Sequence, residues 1–425
     1  MRYLKNLLVN ARIIGDSKKG YFYYILGEGV SKGTIFLLLA FYTNYFSKRD
    51  FGILSLFWVA VPLMSVLIDF SQRSYLKYYY IHTKKNTEEL LSSVKYFCLS
   101  ISGILLLIFL FKDELGVYLI DRISDYFVLF CALFYALIEL DLSLFQIKGD
   151  YKKYNVFFIL RNGFPYIITA LVLVFFKTSV FTFMKVQLIV FFCLAIYNFR
   201  KVKKININKC LAYIKPGLNF SAPFIPAMLS VLVLSFSDRF IINYYFSEVE
   251  VADYTVAYTI SSIFMAFFLA TNKMWQKFIL ENLKLKNFEK IRIASRRYIL
   301  IVLSVGLLII LLRKHLVFFL SNKTYLSIVE LIPVIVIGMF FCFLYTILSN
   351  IPFFYKNTRY LALPAIIAAM INIVFNVILI PIYGYKIAAL TTAISYAVEF
   401  LVIYLICLKK YKIDIIFHGL TKRII

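Results

Sequence analysis

The chain has 425 residues, 62% of them hydrophobic and only 16% charged, and it carries a formal net charge of +25. A soluble domain usually holds about 45–50% apolar and about 25% charged residues, so this balance excludes an ordinary soluble enzyme, a disordered chain and, despite the charge, a nucleic-acid binder. A membrane-embedded chain with basic loops on one side accounts for both the apolar excess and the charge.

Residues 1–19 set Leu4, Leu7, Leu8 and Ile14 among Arg2, Lys5, Arg12 and Lys18, the pattern of a short interfacial helix. No small-residue cleavage site follows, so no signal peptide is expected. Twelve runs then approach the roughly 20 apolar residues that a spanning helix needs. They cover 22–46, 51–70, 94–111, 124–145, 154–176, 179–199, 218–243, 251–272, 298–320, 326–349, 359–381 and 386–408. Connections reach at most 25 residues, which leaves no extramembrane domain. The expected fold is all-α, a polytopic integral membrane protein of about twelve transmembrane helices.

With the N-terminus inside, the inside segments hold 34 Lys and Arg and the outside loops 9. Basic loops stay cytoplasmic, so both termini are expected there. The six cysteines show no CxxC spacing, and the histidines His82, His315 and His418 are isolated. Neither disulfides, a metal site, a cofactor nor a catalytic centre is expected. There is no GxxxxGK[ST] motif to bind a nucleotide.

Two stretches suggest an internal repeat. Asn44-Tyr45-Phe46-Ser47 before Phe51-Gly52 matches Asn243-Tyr244-Tyr245-Phe246-Ser247 before Val251-Ala252, offset by 199 residues. Asp150-Tyr151-Lys152-Lys153-Tyr154 lies 206 residues before Lys356-Asn357-Thr358-Arg359-Tyr360. Chance similarity in a Tyr-, Phe- and Asn-rich chain is the alternative. Six spans per half would give a parallel repeat, with lobes 1–205 and 206–425. The basic linker 200–217 ends in Pro216-Gly217, a plausible hinge. Pro62, Pro165, Pro223, Pro226, Pro333 and Pro364 fall within the runs, where broken backbone bonds survive against protein or a cavity.

The stretch Ser237-Asp238-Arg239-Phe240-Ile241-Ile242-Asn243-Tyr244-Tyr245-Phe246, followed by Val251-Ala252-x-Tyr254-x-Val256-Ala257-Tyr258, resembles a signature of the Wzx-type polysaccharide flippases. So does Asn376-Val377-Ile378-Leu379-Ile380-Pro381-Ile382-Tyr383-Gly384 with Ala388-Ala389-Leu390-Thr391-Thr392-Ala393-Ile394-Ser395-Tyr396, as does the opening from Gly27-x-Gly29 to Phe51-Gly52. Ile387 stands where the family often has a second glycine, so close helix packing is not assured there. The resemblance implies two six-helix lobes as in MATE transporters and the lipid II flippase MurJ. It also implies outward transfer, by alternating access, of undecaprenyl-diphosphate-linked oligosaccharide repeat units across the bacterial inner membrane. The product would be O-antigen, capsule or exopolysaccharide, and the partners membrane lipids, a polysaccharide polymerase and a chain-length regulator.

A charge near the bilayer midplane costs roughly 2.5–3.5 kcal/mol, so each needs a reason. Lys32, one turn after Glu28, either pairs with it or meets the lipid diphosphate as a mobile point charge. Arg161 either snorkels to the interface or grips a phosphate with its guanidinium. Arg239 is a third candidate contact, although beside Asp238 a local or inter-lobe ion pair is the simpler reading. Glu28, Asp69 and Glu139 are the candidate ion-coupling acids. Asp69 is expected to pair with Arg73, and one of Glu139 and Asp141 with Arg161, while Asn372 and Asn376 tie helices together. Three other readings remain, one of them a structural scaffold, for which many kinked spans would be superfluous. A multidrug or metabolite antiporter of this fold would want an acidic cavity, against Lys32. A membrane polysaccharide polymerase or ligase would want a large outer loop, whereas 244–250 lacks Lys, Arg and His.

Overall fold

The computed structural model describes residue 27 and residues 29–416, apart from 84, 116, 117, 119, 177, 201, 223, 224, 356 and 358. The interfacial helix expected over 1–19 and Glu28 lie outside the described residues. Within them every regular element is a helix, and eleven are long and apolar enough to cross a membrane. The twelfth expected run, the first in the chain, is helical over 29–45 (α1) in its described part.

Local chemistry sets where the helices begin and end. α2 (Lys48–Asp69) stops where Phe70 and Ser71 turn left-handed, at φ 44° and 56°, before the short α3 (Gln72–His82). α4 (Thr87–Leu115) opens on Glu88 and Glu89, acids that suit a helix N-terminus. It therefore starts seven residues before the apolar run 94–111, which already holds Lys95. α5 (Arg122–Lys148) is capped by Asp121, which accepts from the backbone of Ile123 and Ser124, and ends at Gly149 with φ 73°. The fifth span is two helices, α6 (Tyr151–Asn162) and α7 (Phe164–Phe175), broken at Gly163. Pro165, lacking an N–H and fixed near helical φ, favours a fresh helix start there.

After α8 (Phe181–Phe199) comes α9 (Ile207–Ser221), which corrects the expected hinge at Pro216-Gly217. Both residues lie inside this helix, and Gly217 is pressed so closely on α3 that a methyl group would overlap Gln72. Ser221 Oγ donates to Ser71 O at 3.1 Å. The seventh span accordingly begins at α10 (Ile225–Tyr245), not at residue 218. α11 (Glu248–Lys284), capped by Ser247, and α12 (Phe288–Leu320), capped by Asn287, both extend into the expected loop 273–297. α13 (Leu331–Phe354), α14 (Arg359–Tyr383) and α15 (Ile387–Ile406) complete the spans.

The chain forms two compact units, Met1–Tyr42 with Phe57–Ile225 and Thr43–Leu56 with Pro226–Ile425. In the first, Tyr42, Trp58, Tyr166 and Phe183 form an aromatic core, and Tyr42 donates to Tyr166 O at 2.6 Å. In the second, Gly52 lies directly on the backbone of Glu248, Lys48 pairs with Asp253 at 2.6 Å, and Gly338 admits Ala393.

Candidate functional site

The first unit carries a chain of charges that links two of its spans to the short helix α3. Asp69, the last residue of α2, is fully buried. The left-handed turn at Phe70 and Ser71 folds α3 back, so that the Ser71 N–H donates to Asp69 Oδ1 at 2.9 Å. It also brings Arg73 Nε to 2.8 Å from Asp69 Oδ2. The other side of the Arg73 guanidinium, Nη1, lies 3.7 Å from Glu139 Oε2 on α5. Glu139 Oε1 in turn accepts from Arg161 Nη1 in the last turn of α6. Burial alone would lower the Arg73 guanidinium, but Asp69 and Glu139 hold it above the usual arginine range.

Arg161 is 4% exposed. Its guanidinium stacks 4.4 Å from the Tyr135 ring and 5.5 Å from Phe158, and its Nε has no hydrogen-bond partner among the described residues. Lys77, one turn beyond Arg73, donates to Gln146 Oε1 at 3.0 Å, and burial pushes its ammonium below the ordinary lysine range. Three cations thus face two acids. Beside Arg161 the helix breaks at Gly163, and Ser31 and Thr34 of α1 lie against that break. Lys32, the neighbour of Ser31, is half-buried and has no acidic partner among the described residues. A cationic cluster set beside a helix break and rich in arginine can receive a phosphate in two-pronged fashion, provided Glu139 yields.

The remaining charges belong elsewhere. Lys95 and Asp141 form a separate buried pair, Nζ to Oδ1 at 2.8 Å. Sequence reasoning passed over Lys95 as a membrane charge, although it lies in the expected span 94–111 and the acidic start of α4 sets it about two turns inside the helix. Arg239, in the second unit, does not join Asp238. Consecutive helical residues point about 100° apart. Arg239 donates to Ser235 O at 2.7 Å and Thr255 Oγ1 at 3.3 Å and lies 4.6 Å from the Tyr258 ring. The expected local ion pair is thus replaced by hydrogen bonds. Asp238 accepts from Tyr254 at 2.5 Å, Thr392 at 3.0 Å and Asn376 at 3.1 Å. Asn372 joins the same network through Ser237, Asn376 and Thr392. Among the described residues no three His, Cys, Asp or Glu side chains gather at a metal site.

Comparison with known proteins follows this geometry. Residues 17–273 match the family model described as polysaccharide biosynthesis protein, and residues 223–378 match the MatE model. An uncharacterized membrane protein of Haemophilus influenzae is 24% identical over 364 residues, covering 82% of this chain and 86% of its own. Among solved structures, an inward-facing MATE-family multidrug resistance transporter of the MOP superfamily matches with a TM-score of 0.66 at 11% identity, over 90% of this chain and 93% of its own. The lipid II flippase MurJ in an inward closed conformation matches with a TM-score of 0.64 at 16% identity, over 91% and 86%.

Proposed function

The chain belongs to the polysaccharide biosynthesis protein family, and from that premise we propose that it is a flippase for undecaprenyl-diphosphate-linked oligosaccharide repeat units. It is a multi-pass membrane protein with the fold of the MATE transporters and MurJ. In our reading it works in the bacterial inner membrane by alternating access, with halves 1–205 and 206–425 as lobes, and supplies O-antigen, capsule or exopolysaccharide assembly. A polymerase and a chain-length regulator would act on its product.

The observation that carries this reading is the Asp69–Arg73–Glu139–Arg161 chain. A buried guanidinium held by a carboxylate that has a second cationic partner can change partners without leaving a charge bare. An arriving diphosphate takes Arg161, Glu139 keeps Arg73, and the freed carboxylate oxygen accepts a proton or cation. Lys32 is the second contact for the anion, Arg239 is a separate candidate contact within the second unit, and Asp69, Glu139 and Glu28 are the coupling acids. Movement of the anion outward is also favoured by an inside-negative potential, about 2.3 kcal/mol per charge per 100 mV. Cations outnumber acids in this cluster, which disfavours an exporter of cationic drugs.

The test is flipping of lipid-linked substrate in liposomes holding the purified protein. Arg161→Ala should slow it about thirtyfold or more, since losing a buried charged partner costs about 2–5 kcal/mol. Arg161→Lys should recover only part, because an ammonium cannot make the two-pronged contact. Lys185→Ala, on an exposed position of α8, should flip normally. Equal rates in all of them would refute the assignment.

A further inference from the structure

α11 and α12 form an antiparallel hairpin closed by Leu285–Asn287, with Lys286 left-handed at φ 55°. At this end lies a cavity of about 780 Å³, well within the size range of small-ligand sites, which run to roughly 300–1,000 Å³. It belongs wholly to the second unit. In the sequence the apolar run 251–272 of α11 is followed by Lys273, Lys277 and Lys284, so the cavity straddles the level where apolar sequence gives way to basic.

Its chemistry changes along its length. Trp275, Phe278, Tyr298 and Ile301 give an apolar wall. Trp275 stacks on Tyr298 at 5.1 Å, and the Tyr298 hydroxyl is fixed 2.7 Å from Thr271 Oγ1. Trp275 is 7% exposed, yet its indole N–H has no acceptor among the described residues. Lys290 and Arg297, about two turns apart on α12, supply two cations. Glu289, the acid in the lining, is held by Arg292 and does not neutralise them. Lys290 lies 5.9 Å from the Phe278 ring, and Arg297 is exposed with no acidic partner among the described residues.

We infer that this cavity binds an anionic phospholipid, with the headgroup phosphate between Lys290 and Arg297 and an acyl chain along the Trp275–Ile301 wall. A free phosphate would leave the aromatic wall exposed. A neutral lipid would leave both cations unanswered. A phosphate ester joined to a hydrocarbon chain satisfies both ends. The site shares no residue with the Arg161 network and stands whatever the protein carries.

The chain has two tryptophans, so Trp58→Phe leaves Trp275 as the sole reporter in the full-length protein. Brominated phosphatidylglycerol and brominated phosphatidylcholine, added to the protein in neutral detergent, are compared as quenchers. Should Trp58→Phe not fold, the same signal is the difference between the unaltered protein and Trp275→Phe. The phosphatidylglycerol is expected to half-quench at about thirtyfold lower mole fraction, equivalent to about 2 kcal/mol from two cations. Lys290→Gln with Arg297→Gln should abolish that preference, and Lys290→Arg with Arg297→Lys should keep it. Equal quenching by the two lipids, or a preference unmoved in the glutamine pair, would overturn the inference. So would glycerol phosphate competing at lipid-like concentrations, which would mark a site for a headgroup without a chain.

Discussion

Lys95 Nζ lies 2.8 Å from Asp141 Oδ1, and both side chains are shut away from solvent, so α4 and α5 are joined by an ion pair buried within their spans. Breaking such a pair leaves one bare charge, whereas replacing both partners with apolar groups of similar size is often neutral or better. Lys95→Ala is therefore expected to destabilise the protein by about 3–5 kcal/mol. Lys95→Met with Asp141→Leu should recover most of that. Thermal unfolding of the purified variants in one detergent reads both values. A double variant no more stable than the single would show that the pair does more than satisfy itself.

Ser71 adopts φ 56° between α2 and α3, and its backbone serves both Asp69 and Ser221. Left-handed backbone costs a residue with a Cβ roughly 1–2 kcal/mol. Ser71→Gly should be tolerated or slightly stabilising. Ser71→Val should unfold the turn, separate Arg73 from Asp69 and lower the melting temperature. If the valine variant melts like the original, the turn is not what holds Arg73 in place.

Gly52 meets Glu248 backbone atoms closer than any Cβ could stand, and a backbone cannot step aside as a side-chain tip can. Gly52→Ala is expected to cost about 1–3 kcal/mol or more through overpacking. Gly103→Ala, with open space around the added methyl group, is the matched control. Yield of monodisperse protein and melting temperature should fall for the first and hold for the second.

The distribution of Lys and Arg predicts an orientation that reporter fusions can check. A phosphatase reporter joined after Lys412 should be inactive, and one inserted after Gly384 active, if the chain's later end faces the cytoplasm. The opposite pattern would invert the proposed direction of transport.

Composition and periodicity sufficed for the helical class and for most spans, because an apolar run of the right length has few other fates. Boundaries were less legible. α4, α11 and α12 run past their apolar stretches on polar caps and charged turns, which hydropathy does not weigh. Asp69 and Arg73 are four apart, a spacing that suggests one helix face, yet the helix breaks between them and the pair persists through a left-handed turn. Glu139 and Asp141 could each have claimed Arg161. Which one does so depends on α4, whose Lys95 takes Asp141 and leaves Glu139 to Arg161 and Arg73. Asp238 and Arg239 looked like a pair by adjacency, and helical geometry sends them into different surroundings.

The bond between Lys48 and Asp253 spans 205 positions of sequence, although both residues belong to the same compact unit. A ribosome adds about 5–20 residues per second. The cation on α2 therefore enters the membrane about ten to forty seconds before its partner has been made. During that interval Gly52 also presents an uncovered helix face, because Glu248 arrives equally late. The first-made segment of the second unit must be sheltered, by the insertion machinery or by lipid headgroups drawn to Lys48, until most of the protein has been synthesised. Slow translation between these points is the circumstance under which the newly made chain is most exposed to membrane proteases.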